Sequence, residues 1–227
     1  FIAVITTSLI AGIGNLAVKG TRENQSDLFD MLVLFYHYIA AVGLIGFSLL
    51  FNNLITIWLG ESYLFDQNTV FIIAAVFYLT NAISPVWMFR EANGCFDKVK
   101  YVLLVRAFFN IIFSIIFGIL WGVFGIFLAT LLSLALTSLW IEPRILFKDI
   151  LQKKQTRYWL HQLFYLLITA MAFLVSFFAV NYLDNSVVFL VVKAIIIVLI
   201  TTILFIIFNY KTKEFTKLTN YFIKKKR

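Results

Sequence analysis

Charge is scarce in this sequence. Asp, Glu, Lys and Arg make up 13% of its 227 residues, against 62% hydrophobic residues and a mean hydropathy of +0.95. A water-soluble domain could not cover its surface with so few charges, so the composition excludes one. The single cysteine, Cys95, excludes an internal disulfide and a cysteine metal cluster. The ten-residue alternation of outer-membrane strands is missing, which excludes a β-barrel. So are a Walker A loop, an HExxH pair and a nucleophile elbow, so the sequence offers no ATP-driven pump, no enzyme of these types and no implied cofactor. An initiator methionine is missing too. The sequence opens at Phe1 inside an apolar run with no basic leader, and the expectation is the C-terminal part of a longer protein.

What is present is length of apolar run. Seven segments, 1–18, 31–57, 69–89, 101–120, 124–147, 159–182 and 187–209, are each near or above the ~20 residues that cross a bilayer as a helix. The expected fold is all-α, a polytopic transmembrane bundle of about seven spans.

The basic residues set its orientation. Connector 19–30 holds Lys19 and Arg22, and connector 90–100 holds Arg90, Lys98 and Lys100. Connector 144–158 holds Arg144, Lys148, Lys153, Lys154 and Arg157, and seven more lie in the tail from Lys211 to Arg227. The alternate connectors, 58–68, 121–123 and 183–186, contain none but carry Glu61, Asp66 and Asp184. This alternation predicts a cytoplasmic C-terminus by the positive-inside rule, and it explains the net charge of +8 without nucleic acid. Trp58 and Trp121 fall at outer helix ends and Trp87, Trp140 and Trp159 at inner ends, as an aromatic belt requires. In the tail, Phe215, Leu218 and Phe222 recur at helical spacing among lysines. Such a segment either lies on the anionic inner leaflet as an amphipathic helix or is a solvated, frayed end.

Several motifs compete for a role. Gly12-Ile-Gly14-Asn-Leu-Ala17 has the letters of a dinucleotide fingerprint without the preceding strand, and reads as close helix packing. Gly118-x-x-x-Gly122 sits at an outer turn, where a tight connection explains it. Asp27 and Asp30 open the second span, either as helix-capping carboxylates or as Mg²⁺–diphosphate ligands of a membrane-embedded glycosyl- or phosphotransferase. Pro85-Val-Trp-Met-Phe-Arg-Glu91 and Pro143-Arg-Ile-Leu-Phe-Lys-Asp149 echo one another, each proline placed to kink its helix. Glu142 is expected to pair with Arg144 or to cap that helix end. His37 reads as a packing site or a proton relay.

The sharpest candidates are basic residues inside spans. Arg106 lies six residues beyond Lys100, about 9 Å deeper, where a guanidinium costs roughly 2.5–3.5 kcal/mol near the bilayer centre. It either snorkels back to the headgroups or faces a cavity or an anion. Asn110, one turn deeper on the same face, favours the cavity. Lys193, six residues inside the last span, snorkels outward or faces substrate. Arg90 and Asn15 are further candidates for substrate binding. No metal-binding cluster is expected.

The run Pro85-Val-Trp-Met-Phe-Arg-Glu-Ala-Asn-Gly-Cys-Phe-Asp-Lys-Val-Lys-Tyr101 resembles a hairpin of bacterial polysaccharide repeat-unit flippases. So do Asn110 through Trp121-Gly-Val-Phe-Gly-Ile, Trp140-Ile-Glu-Pro143 with Leu146-Phe-Lys148, and Gly12-Ile-Gly-Asn15. These are the Wzx-type O-antigen and capsule transporters of the multidrug/oligosaccharidyl-lipid/polysaccharide exporter superfamily. The resemblance covers residues 1–150 well and the last two spans only in general character. It implies two helical lobes around a cationic cavity that receives undecaprenyl-diphosphate-linked oligosaccharide in the bacterial cytoplasmic membrane, with no bond broken. Residues 1–150 would then belong to the C-terminal lobe of a two-lobe transporter, 151–210 would be two added helices and 211–227 a basic cytoplasmic tail. The expected partners are membrane lipids, the lipid-linked sugar and an N-terminal lobe. A cation-coupled drug exporter of the same superfamily and a lipid-facing scaffold are competing readings.

Overall fold

A computed structural model of the chain describes residue 10, residues 12–15 and residues 20–224, the last four as backbone only. The expected first span, 1–18, therefore lies largely outside the described residues, as do Lys19 and residues 225–227. Of that span, residues 12–15 form a helical turn, with Ile13 buried in the core.

The described residues are all-α. Helix α1 (Arg22–Trp58) leads through a short 3₁₀ turn (Glu61–Tyr63) to α2 (Gln67–Ala92). Helix α3 (Phe96–Leu136) continues past Thr137 into α4 (Ser138–Ile145), which ends in a π-helical segment (Leu146–Leu151). Helices α5 (Thr156–Val180), α6 (Val187–Asn209) and α7 (Lys213–Lys224) complete the chain. Five of these stretches are long and apolar enough to cross a membrane, the mark of a multi-pass membrane protein.

The longest of the five, Phe96–Leu151, turns back on itself. Gly122 adopts φ 58° and ψ −133°, a left-handed conformation that glycine reaches without a Cβ penalty. Beyond it the chain returns along its own first arm, so Asn110 reaches Thr130 and Arg106 reaches Ser138. The arms touch at Gly125, where an added Cβ would sit 1.9 Å from the Phe117 carbonyl oxygen. This is the tight connection expected at Gly118-x-x-x-Gly122, and it separates the spans expected at 101–120 and 124–147.

Helix α1 is the hub. It packs along α2 on one side and along α6 and α5 on the other. Near its start Phe29 meets Phe89 of α2 edge-to-face at 5.2 Å and Phe147 of the π segment at 5.5 Å. Further along, Ile45, Ala172 and Ile197 close a second cluster between α1, α5 and α6. Between spans it is close van der Waals packing of this kind, and not the removal of apolar area from water, that holds helices together. The α3 hairpin is the opposite case, with Leu104, Phe108, Ile111 and Ile119 all exposed, as suits side chains facing hydrocarbon.

One end of the bundle collects the basic connectors. There Lys98 pairs with Asp149 at 2.9 Å, Arg22 donates to Gln152, and Gly14 lies beside the Ala92 carbonyl. Trp140 and Trp159 stack at this end with ring centroids 4.6 Å apart. At the other end Asp66 caps α2, accepting from the Asn68 and Thr69 amides and from the Thr69 hydroxyl. The Thr69 hydroxyl holds the Asp66 carboxyl below its usual range.

The tail corrects its sequence reading. Helix α7 is strongly amphipathic, but Phe215 and Leu218 pack against the protein core instead of facing outward, and Phe222 falls outside the described side chains. Ion pairs flank this apolar contact. Asp27 of α1 pairs with both Lys213 (3.4 Å) and Lys217, and Glu214 pairs with Arg157 of α5.

Candidate functional site

Arg106 and Asn110 line one cleft of about 380 Å³ between α2 and the two arms of the α3 hairpin. Thr130 and Ser133 complete a polar stripe in it, and Trp87, Leu103, Ala107 and Leu134 make the rest of the wall apolar. The Arg106 guanidinium donates to the Ser138 hydroxyl at 3.2 Å and lies over the Trp87 ring, 5.5 Å from its centroid. The Asn110 amide donates to Thr130 at 3.2 Å and to Ser133 at 3.4 Å. Among the described residues no carboxylate lies within ion-pair distance of Arg106. Its charge is therefore balanced only by a hydroxyl dipole and an aromatic face, each worth little beside a carboxylate.

The Arg106 side chain is half-buried and lines this cleft. Helical periodicity brings Arg106 and Asn110 to one face because they are four residues apart. The hydroxyls come from the returning arm, where Thr130, Ser133, Thr137 and Ser138 recur close to helical spacing. That stripe was readable in the sequence as small polar residues along one stretch. Its pairing with Asn110 and Arg106 was not, because it depends on where the hairpin turns.

The remaining candidates lie elsewhere. Arg90 is buried against Glu142, with Nη1 donating to Oε2 at 2.6 Å, and its Nη2 lies 3.1 Å from Glu91. The expected pairing of Glu142 with Arg144 is thereby corrected. Glu142 is 1% exposed and turned toward α2, while Arg144 is exposed on the far side of its helix. Asn15 is exposed at the basic end and does not line the Arg106 cleft. Lys193 is buried in α6 near the opposite end, donating to Asn185 at 2.8 Å.

His37 sits in packed surroundings. It is completely buried and tilted against Tyr165 at 4.9 Å, with Nδ1 2.7 Å from the Val33 carbonyl and Nε2 2.9 Å from the Gln162 amide. Both nitrogens are thus engaged. Asp27, on which the Mg²⁺–diphosphate reading leans, is held by the two lysines of α7.

The chain matches no protein-family model, no curated protein and no solved structure.

Proposed function

We propose that the chain is a lobe of a membrane transporter that moves a lipid-diphosphate-linked oligosaccharide between leaflets, of the Wzx-type flippase class it resembles. The observation that carries this reading is Arg106, a permanent cation within a span, lining a largely apolar cleft and lacking a carboxylate partner among the described residues. A guanidinium presents a planar fork of donors suited to phosphate oxygens, and in a low-dielectric setting such contacts are strong. Asn110 donates to Thr130 and Ser133, whose own protons go to the Ile126 and Thr130 carbonyls, so these groups form a fixed polar stripe beside the guanidinium and leave the anion to Arg106. No bond is broken in this reading, so the chain acts as a carrier. Transport would proceed by rocking of two lobes, of which this chain supplies one, with its basic end toward the cytoplasm of a bacterial cell.

The test uses cells whose surface polysaccharide depends on the intact protein. Arg106→Ala should abolish repeat-unit export while the protein stays in the membrane at normal level. Undiminished surface polymer would overturn the anion-binding role. Arg106→Lys then separates a point charge, which preserves export, from a bidentate contact, which does not.

A cation-coupled drug exporter is the second reading, and the buried carboxylate of Glu142 is the observation on its side. That carboxylate is held by Arg90, which lowers its availability to a transported cation. Under this reading Glu142→Gln would stop efflux and Arg106→Ala would not.

A further inference from the structure

A second cavity lies at the end of the bundle away from the basic connectors, between α1, α2, α5 and α6. It is a half-open cleft of about 560 Å³, lined on its polar side by Ser48, Asn53, Gln67, Asn181, Asn185 and Lys193. On its apolar side Phe71 and Phe173 face one another with centroids 5.9 Å apart. That volume is in the range of small-ligand sites.

Lys193 is the unusual feature. It is 4% exposed, and its ammonium, which carries three donors, has one protein acceptor, the Asn185 side-chain oxygen at 2.8 Å. Among the described residues no carboxylate lies within 4.0 Å of it. The acidic residues of this end do not line the cavity: Asp66 is turned into its own helix cap, and Glu61 and Asp184 are exposed. Among the described residues a second buried group of the same cavity also lacks a partner, the Ser48 hydroxyl. A buried charge that is neither paired nor fully hydrogen-bonded is costly, and an uncompensated ammonium that shares a cavity with an unsatisfied hydroxyl defines a place for an anion.

We propose that this cavity is an anion site in which Lys193 holds a phosphate group, with Ser48 and the amides of Gln67, Asn181 and Asn185 as neutral neighbours. The phosphate belongs either to the headgroup of an anionic lipid in the adjoining leaflet or to free phosphate. The proposal does not rest on the transport reading, since the site shares no residue with the Arg106 cleft.

Thermal unfolding of the full chain in detergent tests it, with phosphatidylglycerol, phosphatidylcholine or inorganic phosphate added at matched ionic strength. Phosphatidylglycerol should raise the melting temperature by roughly 5–10 °C at a hundredfold excess over Kd. Phosphatidylcholine should not. If inorganic phosphate reproduces the shift, the free anion is the ligand; if only phosphatidylglycerol does, the lipid is. Lys193→Met should lose the shift and Lys193→Arg should keep it. A full shift in Lys193→Met, or no shift with either probe in the unaltered chain, would overturn the site. Should Lys193→Met fail to fold, Ser48→Asp serves in its place. A carboxylate there supplies the missing counter-charge, so the variant should melt higher unaided and ignore both probes; a retained probe shift refutes the proposal.

Discussion

Arg90 and Glu142, 52 residues apart in sequence, meet in a buried ion pair at 2.6 Å. Each stands beside the proline of its own helix, Arg90 five residues after Pro85 and Glu142 one before Pro143. Pro85 cannot donate a backbone hydrogen bond, and the helix after Pro143 widens into a π segment. The pair therefore ties the last turn of α2 to α4 just ahead of the point where α4 loses its regular helix. Removing one partner strands a buried charge, so Arg90→Ala or Glu142→Ala should each destabilise by about 3–5 kcal/mol. The joint replacement Arg90→Met/Glu142→Leu should restore most of that loss, and chemical or thermal unfolding in detergent reads the difference.

Arg106 should behave in the opposite way. Its described contacts are one neutral hydrogen bond and a cation–π approach worth about 0.5–1 kcal/mol at exposed sites. Arg106→Ala should thus leave unfolding nearly unchanged while Arg90→Ala lowers it sharply. Equal losses from the two variants would mean that Arg106 is structural.

The hairpin offers a graded test. Gly122→Ala meets open space and suffers only its positive-φ backbone, about 1–3 kcal/mol. Gly125→Ala drives a methyl into the Phe117 carbonyl and must part the arms. Cysteine pairs at Asn110 and Ser133, in a background with Cys95 replaced, should cross-link readily with Gly122→Ala and poorly with Gly125→Ala.

The tail contact should be salt-sensitive, since exposed ion pairs are worth roughly 0.2–1 kcal/mol each and are screened. Asp27→Asn should raise the reactivity of Lys213 and Lys217 toward amine reagents, and high salt should do the same to the unaltered chain. Lys153, which Asp27 does not pair with, is the control.

Asp66 predicts a pH effect with a definite sign. Its folded-state carboxyl is held below the usual range by the Thr69 hydroxyl, so the cap contributes above the ordinary Asp value near ~3.9 and is lost as pH falls through the lower folded value. Amide exchange at Asn68 and Thr69, compared with an Asp66→Asn variant, should converge with that variant only at the acid end.

Much of this fold was legible because hydrocarbon imposes a simple rule on composition. The last span, 187–209, coincides with α6, and the reversal was readable from Gly122 beside Trp121. Arg106 with Asn110 was readable because helical periodicity relates residues four apart. What escaped was long-range pairing. Nothing local distinguishes Glu142 with Arg144 from Glu142 with Arg90, since that choice depends on which face of α4 turns toward α2. The tail escaped for a similar reason, as an amphipathic face suits a lipid surface and a protein groove equally. Only Asp27 and Glu214, standing opposite the lysines and Arg157, decide for the protein.

The contact between Asp27 and Lys217 spans 190 residues, nearly the whole chain. A link of that separation has a kinetic meaning. It cannot close until every intervening span has been synthesised and inserted, and contacts so distant in sequence are slow to form. Until then α1 stands with its first carboxylates uncovered, so α7 completes the seating of the first helix described.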